Sequence, residues 1–227
     1  MRPSIRAVPF GQGPPTLHLT ERDREHLAAL GTVVRPAAGV LLCRSGAEAP
    51  FVYSVASGTL MSFRERRGGA RRVLGFLFAG DVFGLSRRGV YVNHVKTVTP
   101  SVLFRFPTDG LIALLTRDAS LQFRFLCKTT HVLREMQRQS LMLTKNDPVV
   151  RVASFLALLE DAQGERQTNR DGIQLPMSRQ DIADFLNLAP GSISASLATL
   201  ERQGIVRLGA DAGVRIVDRQ RFAAMVD

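Results

Sequence analysis

The chain has 227 residues, of which 45% are hydrophobic and 22% are charged, so it is long enough for one large domain or two smaller ones with an apolar core. No run approaches the roughly 18 apolar residues that a transmembrane helix needs. The first twenty residues are mixed and rich in Pro and Gly, without the apolar core of a secretory signal. These features exclude a membrane-spanning protein and predict a cytoplasmic one with a loose N-terminal arm.

The formal net charge of +10 suggests a nucleic-acid partner, but the charge is distributed unevenly. Residues 1–145 carry 21 Lys and Arg against 9 Asp and Glu, whereas residues 146–227 carry 9 Arg against 11 Asp and Glu. Cys43 and Cys127 are too few for the four thiolates of a typical iron–sulfur site. We expect both to be small apolar side chains in a core or interface, with redox sensing as the alternative.

In chain order, an arm and a first helix are assigned to residues 1–30, and residues 31–116 are predicted to form a β-roll. Stretches rich in Val, Leu, Phe and Tyr alternate there with Gly and Pro, a pattern that favours a closed antiparallel roll or barrel. RERRGGARRV predicts a hairpin with its turn at Gly68-Gly69. Its arginines are expected to be solvated, with docking of an anion or a partner as the alternative; they are Arg64, Arg66, Arg67, Arg71 and Arg72.

Residues 118–145 contain neither Gly nor Pro and predict a helix about 40 Å long. A narrow apolar seam between charged residues is typical of a helix that pairs with another helix. Because this helix is longer than a small roll could cover, residues 117–145 are predicted to dimerise the chain, with packing on its own roll as the alternative. The predicted interface is Phe125, Val132, Met136 and Leu143, widened by Leu121, Leu126, Leu133 and Leu141.

Residues 146–227 carry the most specific pattern. Asn146–Pro148 breaks the chain before another amphipathic helix. Ser178 with Asp181 three residues later has the layout of a helix N-cap, so residues 179–186 are predicted to form a short helix. Pro190 suits the first position of the next helix, and Gly204 suits the position after its end.

In that next helix Ile193, Leu197 and Leu200 form one buried stripe. The stripe leaves small and uncharged residues outward, namely Gly191, Ser192, Ala195, Ala198 and Thr199, with Ser194 on the flank. IVRLGADAGVRIV then predicts two short strands around a turn. Helix, turn, helix and hairpin in this order are specific for a winged helix-turn-helix that binds DNA. We find no paired carboxylates, nucleophile–His set or metal-ligand spacing that would indicate an enzyme or a metal site.

From about Leu30 to Val217 the chain resembles the Crp–Fnr superfamily of bacterial transcription regulators, in its FixK-like branch. LGFLFAGDVFGL resembles the roll signature, and LPMSRQDIADFLNL…SISASLATLERQGIV resembles the C-terminal helix-turn-helix. The resemblance implies an α+β fold: a cyclic-nucleotide-binding-type β-roll, a long dimerisation helix and a winged helix. It also implies a homodimer that binds double-stranded DNA at a two-fold-related site and acts with RNA polymerase.

The resemblance also exposes differences in the effector pocket. Members that bind cAMP carry a Gly-Glu pair and, further on, an Arg for the cyclic phosphate. The corresponding positions here are Gly84-Leu85 and the neighbourhood of Tyr91, so the charge-assisted contacts to phosphate and ribose are lost and cAMP is not expected. Relatives with an iron–sulfur cluster carry an N-terminal Cys set that is missing here, and a haem is not expected, because lone histidines are more often structural or exposed. The cofactor or effector stays unknown.

The recognition helix differs as well. Relatives typically place Glu and Arg, four apart, on its outward face, where this chain has Gly191 and Ala195, while Ser194 matches a Ser of the Fnr-like branch. Readout would then depend on hydroxyls, a thymine-methyl contact or DNA shape. The predicted DNA-binding residues are Arg179, Gln180, Ser192, Ser194, Ala195, Thr199 and Arg202, with Arg207 and Arg215 of the wing. The alternative is a sensor or partner-binding protein whose winged helix no longer reads sequence.

Overall fold

The structure is a computed structural model that describes residues 21–65, 71–86, 88–164, 172–209 and 213–226. The N-terminal arm predicted for residues 1–20 and the predicted Gly68-Gly69 turn lie outside these ranges. In the described part of the chain, no helix is long and apolar enough to cross a bilayer.

A first helix, α1 (Glu21–Leu30), precedes the antiparallel β-roll that the sequence predicts. The strands of the roll are β1 (Thr32–Val34), β2 (Leu41–Cys43), β3 (Phe51–Ser57), β4 (Leu60–Glu65), β5 (Arg71–Leu77), β6 (Val82–Phe83), β7 (His94–Thr97) and β8 (Val102–Pro107). They form two sheets, in the orders β1-β8-β3-β6 and β2-β7-β4-β5. At the turn between β3 and β4, Gly58 has a φ of +96°, and a Cβ there would lie 2.3 Å from the Ser101 hydroxyl. This turn therefore requires glycine.

Strands β4 and β5 form the predicted hairpin, with Glu65 opposite Arg71. The pairing shifts between Ser62 and Phe63 and leaves Leu74 without a partner on β4, as in a β-bulge. The freed carbonyl of Leu74 accepts a hydrogen bond from Gln139 of the long helix at 3.0 Å. The hairpin is thus attached to the helix that follows the roll.

Two helices follow the roll, α2 (Thr108–Arg117) and α3 (Ala119–Thr144). Helix α3 has 26 residues, and its N-terminus is capped by the Asp118 carboxylate, which accepts from the backbone N–H of Leu121. The long helix predicted from Asp118 to Lys145 is confirmed, and the predicted break at Asn146–Pro148 separates it from the next helix.

The remaining elements form the winged-helix domain, here residues 148–226. They are α4 (Pro148–Gly164), β9 (Ile173–Gln174), α5 (Arg179–Leu186), α6 (Pro190–Arg202), β10 (Val206–Leu208), β11 (Gly213–Ile216) and α7 (Arg219–Val226). Strands β10 and β11 are the predicted wing, and β9 joins them on the far side of β11. Strand β9 and helix α7 were not predicted, because two residues of strand and a short helix show little periodicity.

One apolar core crosses from the roll into the winged-helix domain. Met61, Phe63 and Val73 of the β4–β5 hairpin belong to the same buried cluster as the apolar faces of α4, α5 and α6. A separate cluster fills the roll between its two sheets and includes Cys43, Tyr53, Leu60, Phe83, Tyr91 and Leu103. The hairpin therefore packs partly on the winged-helix domain instead of closing only the roll.

Candidate nucleic-acid interface

The first helix of the helix-turn-helix begins with a reciprocal capping box. The backbone N–H of Asp181 donates to the Ser178 hydroxyl at 3.0 Å, and the Asp181 carboxylate accepts from the Ser178 N–H at 3.2 Å. Helix α5 ends at Asn187, whose φ of 56° is left-handed. Its predicted span of residues 179–186 is confirmed, with Ile182, Ala183 and Leu186 buried as expected.

The second helix begins and ends at the predicted residues. Pro190 occupies the first turn of α6, where its missing N–H removes no intrahelical bond. At the other end Gly204 has a φ of 69°; its N–H donates to the Glu201 carbonyl and the N–H of Ile205 donates to the Leu200 carbonyl. These two bonds form a Schellman motif, which requires a residue such as glycine with positive φ.

Helix α6 has one buried face and one open face. Ile193, Leu197 and Leu200 are buried in the core of the winged-helix domain, as predicted. The opposite face exposes Gly191, Ser194, Ala195 and Ala198, with Ser192 and Thr199 at its edges, half-buried. A Cβ added to Gly191 would meet no atom within 4 Å, so the first turn has open space. The face that could enter a groove carries small, uncharged side chains, with hydroxyls from Ser192, Ser194 and Thr199.

Cationic side chains lie on α6 and on its neighbouring elements. Arg207 and Arg215 are exposed and directly opposite each other on the wing. Arg202, near the end of α6, is exposed and donates to the Thr199 hydroxyl at 3.3 Å. Arg179 is half-buried at the start of α5. The structure thus places cations on α5, α6 and the wing, which is the arrangement that positions a recognition helix against phosphates.

Gln180 is the predicted DNA-binding residue with the clearest intramolecular partner. Its side-chain amide donates to Asp184 at 2.7 Å, one helical turn further along α5.

Arg151 of α4, which the sequence did not single out, donates to the Lys145 carbonyl at 2.6 Å and to the Leu186 carbonyl at 3.0 Å. It joins the end of the long helix to the end of α5. From the sequence, the long side chain of arginine is the only sign that Arg151 could connect two helix ends.

Comparison with known proteins gives the family. Residues 150–225 match the Crp-like helix-turn-helix domain, and residues 33–118 match the cyclic nucleotide-binding domain. The chain is 31% identical to the nitrogen fixation regulation protein FixK of Azorhizobium caulinodans over 87% of this chain and 80% of that protein. The chain belongs to the Crp–Fnr family, in its FixK-like branch. The Crp–Fnr assignment makes it a transcription regulator with a helix-turn-helix DNA-binding domain, and not an enzyme.

Two further proteins are similar to this chain. The transcriptional activatory protein AadR of Rhodopseudomonas palustris is 29% identical over 89% of this chain and 84% of that protein. The structure of FixK2 from Bradyrhizobium japonicum superimposes with a TM-score of 0.78 at 24% identity, over 87% of this chain and 98% of that one. The latter likeness concerns the fold, which is the predicted order of β-roll, long helix and winged helix.

The Crp–Fnr roll is filled by this chain's own side chains at the predicted effector position. Tyr91 is buried and donates from its hydroxyl to the Phe51 carbonyl at 3.0 Å, while Tyr53 stacks on Phe83 with ring centroids 5.0 Å apart. Gly84 lies against Phe51 and Tyr91, so that a Cβ there would be 2.8 Å from the Phe51 carbonyl oxygen. Leu85, by contrast, is 51% exposed. The predicted trio is therefore split: Gly84 lies beside buried Tyr91, whereas the Leu85 side chain lies in solvent.

The interior of the roll is also uncharged at neutral pH. Burial raises the pKa of the Cys43 thiol to about 12. Burial likewise raises the pKa of the Tyr91 and Tyr53 hydroxyls, because an anion in the apolar interior would lose its hydration. Cys43 is thus the buried core thiol that the sequence predicts and a poor nucleophile.

The long helix of this Crp–Fnr protein presents two apolar faces. Leu121 is fully buried, and Phe125 packs partly on Val52, Phe106 and Leu111 of its own chain. Met142 is buried in the core shared with the winged-helix domain, and its neighbour Leu143 is half-buried. The side chain of Val132 lies outside the described ones.

The other face of α3 is exposed and is shifted from the predicted seam. Its side chains are between 57% and 65% exposed, and they are Phe123, Leu126, Leu133, Met136 and Leu141. Of the predicted four, Met136 lies on this face, whereas Phe125 and Leu143 turn at least partly toward their own chain. The predicted seam combined residues from both faces, because both are apolar and the sequence pattern does not distinguish them.

Proposed function

We propose that this chain is a homodimeric transcription regulator that binds a two-fold-related DNA site with one recognition helix per half-site, without cAMP and with altered base readout. The open, uncharged face of α6 supports the altered readout. With Gly191 and Ala195 at its centre, this face has no side chain that could make the bidentate Arg–guanine contact. Readout is left to the hydroxyls of Ser192, Ser194 and Thr199, to a methyl contact from Ala195, and to DNA shape.

Affinity would come mainly from the cations around α6. Arg179 lies on α5, Arg202 on the last turn of α6, and Arg207 and Arg215 on the two strands of the wing. Contacts from such residues to phosphates fix the position of a protein on DNA but carry no sequence information. Binding should therefore weaken steeply with salt, with a slope of about −0.9 in log–log terms for each phosphate contact.

The proposed dimer uses the exposed face of α3. Leu126, Leu133 and Met136 leave more than half of each side chain in water, which a helix on the surface of a monomer seldom does in a continuous stripe. A second copy of α3 would cover this stripe, and regulators of this family act as dimers. We propose RNA polymerase as a further partner, because the similar protein AadR is a transcriptional activator.

The roll supports the proposal that cAMP is not the effector. A cyclic phosphate needs a cation and the ribose needs an acceptor, and the position that faces the interior here carries Tyr91, held by the Phe51 carbonyl. Stacked Tyr53 and Phe83 occupy the space beside it. Binding a nucleotide would require displacing these rings from a buried cluster, with no charge-assisted contact to compensate.

Selection of duplexes from a random-sequence DNA library by the full-length protein, with and without cAMP, tests this function. We expect an enriched two-fold-related sequence in both conditions, and loss of enrichment for Ala195→Glu, which places an anion on the exposed recognition face. Ala113→Glu is the matched control, since Ala113 is also exposed on a helix but lies on α2. If no sequence is enriched at low salt, the winged helix has lost sequence reading and the chain is a sensor or partner-binding protein. Enrichment only with cAMP would contradict the effector proposal.

A further inference from the structure

The hairpin of the roll binds the first helix of the helix-turn-helix through Arg71. This residue, at the start of β5, donates from Nη2 to Asp181 at 2.5 Å and to Asp184 at 3.0 Å, and from Nε to Asp184 at 3.3 Å. One guanidinium thus bridges two carboxylates that are three residues apart on α5. The three side chains are only 13% to 25% exposed, so water screens these ion pairs less than ordinary surface pairs.

The sequence expectation of a solvated hairpin tip is therefore wrong for Arg71, and its neighbour makes a second, exposed contact with the end of α5. Arg72 donates to the side-chain carbonyl of Asn187 at 2.9 Å, at the left-handed residue that ends α5. Both arginines contact the chain's own winged-helix domain, an intramolecular role that the sequence analysis did not foresee. A β-strand sends neighbouring side chains to opposite faces, but α5 lies close enough to the hairpin for both arginines to contact it.

Apolar contacts lie beneath these polar ones. The ring of Phe76 on β5 lies 5.4 Å from that of Phe185 on α5 and 6.1 Å from that of Phe155 on α4, and the latter two are 5.5 Å apart. Three tilted rings from three elements form one cluster, which favours a single relative orientation. Polar and aromatic contacts together fix α5 against the roll.

This contact does not involve the recognition face. The roll side of the contact is β5, and the winged-helix side is α5 with Phe155 of α4, whereas α6 packs on α4, α5 and β10. Gly191, Ser194, Ala195 and Ala198 stay exposed while Arg71 holds α5. The docked arrangement is thus compatible with DNA binding, and it also sets the angle of α6 relative to the roll and α3.

We infer that Arg71 is a positioning residue for DNA binding, which clamps the winged-helix domain to the roll through Asp181 and Asp184 and so fixes the half-site spacing that the dimer accepts. This inference rests on the proposed dimeric DNA-binding function. In a two-fold dimer the separation of the two recognition helices must match the separation of the half-sites. A winged-helix domain that swivels loses orientational freedom when the second half-site binds, and it tolerates incorrect half-site spacings better.

The test compares full-length Arg71→Ala and Asp184→Asn with Arg64→Ala. Asp181 is left unchanged because it belongs to the capping box. Arg64 is the matched control, since it lies on the same hairpin but donates to Asn93 and Val92 of the roll. The probes are the palindromic duplex that the wild type selects from random DNA, the same duplex with its centre lengthened by one or two base pairs, and a duplex with a single half-site.

We expect Arg71→Ala and Asp184→Asn to weaken binding to the selected duplex about tenfold, because they remove charged hydrogen bonds. Binding to the single half-site should change less than about twofold, and the preference for the original spacing should shrink, since only relative orientation is affected. The reversed pair Arg71→Glu with Asp184→Arg should recover spacing selectivity that Arg71→Glu alone lacks.

Equal losses on the single and double half-sites would show a structural role and overturn the inference. So would spacing selectivity in Arg71→Ala that matches that of Arg64→Ala. Failure of the proposed function would give a different result, because the wild type itself would then select no two-fold-related duplex. That result would also overturn the inference about Arg71.

Discussion

Replacing Gly191 with Glu and Ala195 with Arg should change the base preference of the protein at one base pair in each half-site. The two positions are four residues apart on α6 and therefore on one face, and both are exposed. The resemblance to the Crp–Fnr family implies Glu and Arg at these positions, so the double substitution tests whether their absence produces the proposed change in readout.

The structure indicates that the substitutions will be tolerated. A Cβ at Gly191 meets nothing within 4 Å, and its backbone is helical. Replacing a helical glycine should stabilise the fold by up to about 0.5–1 kcal/mol, and less in the first turn. A Glu–Arg pair four residues apart adds about 0.2–0.5 kcal/mol.

The gain in specificity should be larger than these effects on stability. A bidentate contact between Arg and guanine is worth about 1–3 kcal/mol of discrimination, which corresponds to roughly 5- to 150-fold at that base pair. Fluorescence anisotropy at fixed salt, with each base pair of the wild-type half-site replaced in turn, would measure it. Ala113→Arg on α2 is the control for added positive charge.

A uniform rise in affinity for all duplexes, with no new base preference, would refute this reasoning. It would mean that Arg at position 195 reaches phosphates and that α6 does not present this face to base edges. The same result would remove the support that the uncharged face gives to the proposed readout.

Three further predictions concern stability and assembly. Ser178→Ala removes one side of the capping box and should cost about 1 kcal/mol in urea unfolding, whereas Ser194→Ala on the exposed face should cost almost nothing. Burial raises the pKa of the Cys43 thiol from 9.0 to about 12, so the folded protein keeps this proton to a higher pH than the unfolded chain does. This group should therefore not affect the free energy of unfolding below about pH 9, and above that pH it should lower it by at most about 1.4 kcal/mol per pH unit. Cys43→Ala should remove this part of the decrease. Leu133→Asp should convert the proposed dimer to monomers in analytical ultracentrifugation without lowering the far-UV helical signal, and a dimer that persists at micromolar concentration would place the interface elsewhere.

The sequence predicted the helix-turn-helix almost to the residue because its signals are local. Ser178 and Asp181 cap one helix within four residues, and Pro190 and Gly204 delimit the next. The roll was predicted from glycine-punctuated short strands. Such signals depend on backbone conformation and hydrogen bonding within one turn, which neighbouring residues determine.

The contacts between the parts of the molecule could not be predicted in this way. Arg71 and Asp181 are 110 residues apart, and their meeting depends on how the hairpin packs against α5. On α3 the periodicity showed which positions are apolar, but Phe125 faces the chain's own roll while Leu126 faces outward. A helix with two apolar faces does not reveal from sequence which one its own domain covers.

The uncharged recognition face and the clamped winged-helix domain both bear on how the protein distinguishes its target site from other DNA. If each half-site is read by hydroxyls and a methyl group, the discrimination per base pair is small and one half-site cannot define a target. Specificity then depends on two half-sites bound at once with the correct spacing. A domain held by Arg71 and the Phe76–Phe155–Phe185 cluster supplies that spacing, whereas a swivelling one would not. Restoring Glu and Arg on α6 should therefore make DNA binding less sensitive to Arg71→Ala, which the same duplexes would show.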